Sequence, residues 1–157
     1  MSLKRAKEHL AKFGRADDVL EFETSSATVE LAAKAVGCEP ARIAKTLSFG
    51  VDDRVALVVC AGDARIANPK FKAQFRTKPK MLAAEEAPVR IGHAVGGVCP
   101  FGVSDECDVY LDESLKRFDT IFPACGSSNS AIELTPTELA EITPGSTWVD
   151  VCKLPEA

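Results

Sequence analysis

The sequence predicts one α+β domain in which a mixed, strongly curved, barrel-like sheet is surrounded by helices. Three observations carry that reading. Short apolar runs with period-two alternation are interleaved with segments of helical period, so neither an all-α nor an all-β core accounts for the chain. Nearly every run is bounded by a turn or capping residue, which cuts the chain into about seven strands and five or six helices. With 157 residues and 46% apolar content, one core is large enough to fold without staples, so residues 1–157 are read as a single domain.

In residues 2–13, Leu3, Ala6, Leu10 and Phe13 fall at near-helical spacing. This predicts an amphipathic helix with Ser2 as N-cap and Gly14 as its stop. A short strand is expected over 19–23. Thr24, Ser25 and Ser26 then offer caps for a helix over 27–36, with Val29, Ala32, Ala33 and Val36 inward and Gly37 ending it. Pro40 keeps the next connection short.

The strand expected over 42–49 is the unusual one. Alternation sends Ile43, Lys45, Leu47 and Phe49 to one face and Ala44, Thr46 and Ser48 to the other, so a large apolar face carries a lysine. A buried ammonium loses hydration worth several kcal/mol, so Lys45 either reaches an opening in the core, meets an anion, or snorkels out at a sheet edge. On the residues alone, a cationic pocket and a snorkelling lysine stay open.

Residues 50–54 read as a hairpin turn, and 55–61, apolar on both faces, as a central strand. Gly62 and Asp63 break it. Residues 64–75 form one helix or two short ones around Pro69, with Phe71 and Phe75 inward; 79–87 is another short helix closed by Pro88. Residues 92–102 include four glycines, Gly92, Gly96, Gly97 and Gly102, and one proline, too many for a regular element across the whole span. Such a loop can aim main-chain groups at a ligand, or be an ordinary tight connection. Strands over 109–111, 120–124 and 131–134 follow, with a helix over 113–117 capped by Asp112 and a polar loop over 126–130. Thr135, Pro136 and Glu138 supply the cap, first position and capping-box partner of a last helix, before a closing strand over 148–151.

Composition narrows the class. No apolar run approaches the roughly 18 residues of a membrane span, and no apolar block follows the N-terminal charges, so a cytosolic protein is expected. The cysteines at 38, 60, 99, 107, 125 and 152 include no C-x-x-C pair and only two histidines accompany them, which argues against a metal or disulfide framework. Most are expected to be reduced core residues. Residues 1–80 carry a formal charge of +5 and residues 81–157 one of −9. From Arg65 to Lys80 there are six basic residues and no acid, which is either a solvated face or a patch for nucleic-acid phosphates. The acidic second half would then discourage non-specific adhesion.

Three segments in order resemble a known family: Thr28-Val29-Glu30-Leu31-Ala32-Ala33 through Gly37 to Ile43-Ala44-Lys45-Thr46-Leu47; Gly96-Gly97-Val98-Cys99-Pro100-Phe101-Gly102; and Gly126 through Ile132-Glu133-Leu134. Together they are similar to the YbaK/ProX-type aminoacyl-tRNA deacylases, which resemble the editing domain inserted in bacterial prolyl-tRNA synthetase. The likeness covers residues 20–150 or so. It implies hydrolysis, without a cofactor or metal, of the ester between a wrong amino acid and the terminal ribose of a tRNA. Lys45 takes the role on which activity in the family depends. Thr46, the loop Gly96, Gly97, Val98, Cys99, Pro100 and Phe101, and the turn Gly126, Ser127, Ser128, Asn129 and Ser130 are then the substrate-binding residues. Some relatives have a histidine where Gly126 stands, or basic residues where Ser127 and Ser128 stand. The pocket walls suggest a small amino acid of the Ala, Ser or Cys class.

The resemblance also implies a mischarged aminoacyl-tRNA as partner, with an aminoacyl-tRNA synthetase as a further one, and neither DNA nor a membrane. Arg65, Lys70, Lys72 and Arg76 are the candidate tRNA contacts. Lys45→Ala is expected to abolish deacylation with little loss of stability. A thiol enzyme would use Cys99 activated by His93, but nothing in the sequence brings the two together, and His93 is expected to be structural and His9 a surface residue. The alternative from another class is a catalytically silent tRNA- or synthetase-binding module of the same fold.

Overall fold

A computed structural model describes residues 2–23 and 28–155. The elements are α1 (Ser2–Ala11), β1 (Leu20–Glu21), α2 (Val29–Val36), β2 (Ile43–Val51), β3 (Arg54–Ala61), β4 (Arg65–Ile66) and α3 (Asn68–Phe75), followed by α4 (Ala87–Arg90) and β5 (Cys107–Asp112). The last third holds β6 (Phe122–Pro123), β7 (Ser130–Ala131), α5 (Pro136–Glu141), β8 (Thr147–Val149) and β9 (Cys152–Lys153).

A five-stranded sheet in the order β6-β2-β3-β5-β8 forms the frame, curled into a half-barrel. Only β2 and β3 run antiparallel; β2–β6, β3–β5 and β5–β8 are parallel, so the sheet is mixed as expected. β3 lies in its middle and is buried at every position but Arg54, which is why its sequence is apolar on both faces. On one face Phe49 meets Phe71, Phe71 meets Phe75, and Phe75 meets Tyr110 edge-on, with centroids 4.5–4.9 Å apart. On the other, Val55 and Leu57 pack with Ala87 and Ile91. α2 covers the β6 end, placing Ala33 on Ile43 and Phe122.

Local signals set most element ends. Gly37 takes the left-handed conformation (φ 76°) at the end of α2, where its N–H reaches the Ala33 carbonyl. Thr135 and Glu138 close a reciprocal capping box at α5. Asp112 caps the 3-10 turn Glu113–Arg117 through Ser114 N–H and, fully buried, also accepts the N–H of Val151 at 2.9 Å.

Five expectations are corrected. The cap of α2 is Thr28, whose side chain accepts from Leu31 N–H, so the helix begins after the Thr24-Ser25-Ser26 run; those three residues lie outside the described ones. β2 and β3 pair up to Val51↔Arg54, leaving Asp52 and Asp53 as a two-residue turn rather than a five-residue one. Arg65 and Ile66 are a strand rather than helix, because β9, nearly ninety positions later, pairs with them; periodicity in a short window cannot register such a partner. Pro88 sits in the first turn of α4 instead of closing a helix, where its missing N–H costs nothing. His9 is half-buried, not a surface residue: its Nδ1 accepts from Gly102 N–H at 3.1 Å while Nε2 donates to the Ile142 carbonyl. All six cysteines are free thiols, four of them buried.

Candidate active site

β2 is paired along both edges only in part, and the site is built on the gap. Gly50 N–H donates to the Lys80 carbonyl and the Ser48 carbonyl accepts from Leu82 N–H, so even-numbered residues of β2 turn their main-chain groups outward. Ala44 spends its groups on β6, whose pairing ends there, while the bridge to Met81 lies opposite Phe49. Among the described residues Thr46, between them, faces no strand. It lines a cleft of about 310 Å³, and by the same alternation its N–H and C=O turn to that open edge.

One wall of that cleft is Thr28, Val29 and Ala32 from the start of α2; another is Met81, Leu82 and Ala83 with Ala87. A third is Val95, Gly96 and Val98 of the glycine loop, and Ala124, Ser130 and Ala131 close the end. Lys45 lines it too. The lysine is half-buried, and its ammonium donates to the carbonyls of Gly62 at 3.2 Å and Ala64 at 2.5 Å. Main-chain oxygens thus take the place of the anion that a buried ammonium calls for. Among the described residues two of its three N–H donors have acceptors.

The loop reaches the cleft through close backbone packing. A Cβ on Gly97 would stand 2.7 Å from the carbonyl of Gly126 and 2.8 Å from Ser127 N, so only glycine lets these two segments touch. Gly97 N–H turns back to the Ala94 carbonyl. The N–H groups of its neighbours Gly96 and Val98 have no acceptor among the described residues. The 126–130 turn is tied down by Asn129, which donates to the Phe22 carbonyl, and by Ser127 Oγ, which contacts Asn129 Oδ1 and Ser130 Oγ. Of that turn only Ser130 lines the cleft, so Gly126, Ser127, Ser128 and Asn129 stand behind the wall.

Cys99, Pro100 and Phe101 do not line the cleft either. Cys99 and Phe101 are fully buried because the chain turns inward after Val98. His93 does approach Cys99, with Nε2 3.5 Å from the sulfur, which the sequence did not foretell. Yet the same Nε2 bonds the Phe101 carbonyl at 2.6 Å, so that nitrogen carries its hydrogen and cannot take the thiol proton. Burial pushes the Cys99 thiol up to about 12 and pulls the His93 imidazole down, so both stay neutral and the pair is no nucleophile.

Of the four candidate RNA contacts, Lys70 already donates to Asp150 at 2.9 Å and to the Cys152 carbonyl. Arg65, Lys72 and Arg76 are exposed and have no carboxylate within ion-pairing distance among the described residues. Sequence reasoning missed the contribution of α2 and of 81–83 to the walls, and the unpaired edge at Thr46. Only the place where β6 ends decides that edge, and no local pattern signals it.

Comparison with known proteins agrees with this architecture. A solved structure of a candidate trans-editing enzyme for prolyl-tRNA synthetase superposes with a TM-score of 0.87 at 29% identity, over 97% of both chains. YwhH of Bacillus subtilis (strain 168), an uncharacterized protein, is 56% identical over 98% of both chains. EbsC of Enterococcus faecalis, a candidate Cys-tRNA(Pro)/Cys-tRNA(Cys) deacylase, is 28% identical over 75% of this chain and 73% of its own. Proline–tRNA ligase of Geobacillus sp. (strain WCH70) is 31% identical across 64% of this chain, which corresponds to 18% of the ligase. The family model described as the aminoacyl-tRNA editing domain matches residues 23–142. With most of its length inside that match, the chain belongs to the aminoacyl-tRNA editing domain family.

Proposed function

We propose that the protein is a trans-acting aminoacyl-tRNA deacylase that hydrolyses the ester of a small amino acid, of the Ala, Ser or Cys class, mischarged onto a tRNA. The observation that carries this reading is one cleft lined by Lys45, by Thr46 at the unpaired stretch of β2, and by Gly96 and Val98, whose N–H groups have no acceptor among the described residues. Water attacks the ester carbonyl carbon, the carbonyl oxygen gains charge, and the bond to the ribose oxygen then breaks. That ribose oxygen takes up the proton that the attacking water gives up, as the free amino acid departs. Gly96 and Val98 N–H are the donors for the developing oxyanion, each worth about 3 kcal/mol when well aimed. Lys45 holds the acceptor end and adds positive charge beside the carbonyl. An aminoacyl ester is already activated, so oriented water and oxyanion donors suffice without a strong base.

Val29, Ala32 and Val98 line the cleft, and we take the preferred side chain to be small. EbsC, a candidate for cysteine removal, lends weight to that class. Among the described residues no helix is long and apolar enough to cross a membrane, and we place the protein in the cytoplasm with its substrate. Contact with a synthetase is part of the same proposal.

The test is a panel of aminoacyl-tRNAs, varied in amino acid and in tRNA, scored for free amino acid with wild type and Lys45→Ala. Release of Ala, Ser or Cys by wild type only is expected. Release at equal rates by both proteins removes Lys45 from the mechanism. Tight tRNA binding with no release from any member of the panel establishes the silent binding module instead.

A further inference from the structure

The cleft has a rim that the reaction itself does not use. Met81 and Val95 both line it, yet they are 59% and 67% exposed, among the most exposed large apolar side chains described. Met81 is held in place because its neighbours pair with β2: Lys80 accepts from Gly50 N–H at 3.0 Å, and Leu82 donates to the Ser48 carbonyl at 3.1 Å. Immediately before it, Lys78 and Lys80 stand exposed on either side of half-buried Pro79. Neither has a carboxylate within ion-pairing distance among the described residues, whereas Lys70 is matched by Asp150. Two apolar groups beside two unmatched cations, anchored to the strand that carries Lys45, make a surface with one apolar and one anionic requirement.

We infer that this rim is the seat of the 3′-terminal nucleotides of the RNA: the last base lies against Met81 and Val95, and the phosphates just 5′ of it lie on Lys78 and Lys80. This rests on the deacylase reading and moves the first RNA contacts from Arg65 and Lys70 to the residues beside the cleft. A single-stranded end suits such a surface. Its bases have free faces for apolar or stacking contact, and its phosphates follow at every nucleotide. The aminoacyl ester, attached to the last ribose, then points down toward Thr46 and Gly96.

The experiment is binding of a non-hydrolysable tRNA carrying alanine in amide linkage at its 3′ end, followed by fluorescence anisotropy across a salt series. It is run with wild type, Lys78→Glu/Lys80→Glu, Met81→Ala and, as a charge-matched control, Lys4→Glu/Lys12→Glu on and just after α1. The rim variant is expected to weaken binding about tenfold or more and to flatten the slope of log affinity against log salt by about 1.4, for two phosphate contacts on a single strand. Met81→Ala is expected to weaken it about fivefold, through lost apolar contact, with the slope unchanged. Removing the terminal nucleotide from the RNA should erase the Met81 effect and keep the lysine effect. The assignment is overturned if the rim and α1 variants lose equal affinity, or if Met81→Ala weakens the shortened RNA as much as the full one. Because binding is read without turnover, failure of the deacylase reading shows separately, as a wild type that binds this RNA through the rim but releases no amino acid from the ester.

Discussion

Lys45 is the residue whose placement matters most, and its bonds change what its removal should do. The expectation that Lys45→Ala costs little stability assumed a strained charge; the ammonium instead donates to the Gly62 and Ala64 carbonyls. Hydrogen bonds to a charged group are worth about 1.5–3 kcal/mol, so Lys45→Met, which keeps the stem, should lower stability by about 1–3 kcal/mol in urea unfolding while deacylation falls at least a hundredfold. Unchanged stability would mean those carbonyls find water equally well. Cys99 makes the opposite prediction. A buried neutral thiol has no part in the chemistry, so Cys99→Ser should keep deacylation within about threefold, and a maleimide should not label Cys99 in the native protein. Burial holds His93 below its ordinary value, so the folded state binds its proton less readily than the unfolded one. Its contribution is whole above pH 6.5 and is lost as pH falls below it; the wild-type stability curve should drop there more steeply than that of His93→Asn. Parallel curves would show that the ring titrates alike in both states.

At the scale of elements, the glycine loop and the 126–130 turn act as one wall because Gly97 lets two backbones meet. Gly97→Ala forces a methyl group against the Gly126 carbonyl, where backbone rather than a pliant side chain must yield. Overpacking of that kind costs about 1–3 kcal/mol, and displacement of the Gly96 and Val98 N–H groups should lower kcat about tenfold or more with a smaller change in KM. Thermal unfolding and steady-state deacylation check the two halves of this prediction. Equal kcat in the two proteins would show that the oxyanion donors lie elsewhere. The elements also show where local reading succeeds. Gly37, Thr135 with Glu138, and Asp112 act through neighbours a few positions away, and all were legible as stops or caps. The short strands β4 and β9 exist only through each other, and their pairing spans the chain.

The whole molecule puts its charge asymmetry to structural use. Arg15 pairs with Glu138, Arg42 with Glu133, Arg54 with Asp108 and Lys70 with Asp150, so acids of the second half neutralise cations of the first. Among the described residues, every cation from Lys72 to Lys80 is left without a carboxylate within ion-pairing distance. Neutralising Lys72 and Arg76 together should therefore weaken tRNA binding and flatten its salt dependence, while Lys70→Gln should change the slope little. Titration at several salt concentrations decides it; an equal effect of Lys70→Gln would show that its ion pair opens on binding.

The sequence by itself determined the α+β class, the apolar central strand, the caps, and the anomaly of a lysine on an apolar strand face, because alternation and capping depend on residues within a turn or two of each other. Its motifs also pointed to the right family. Tertiary structure alone decided which side of the chain became a wall. Cys99 and Phe101 follow Val98 by one and three positions, yet they are core and it lines the cleft. It decided, too, that the pairing of β6 with β2 ends at Ala44 and leaves Thr46 facing no strand among the described residues, and that carbonyls from beyond β3 receive the ammonium. Those outcomes depend on where distant segments end against one another, and a linear pattern holds no record of that.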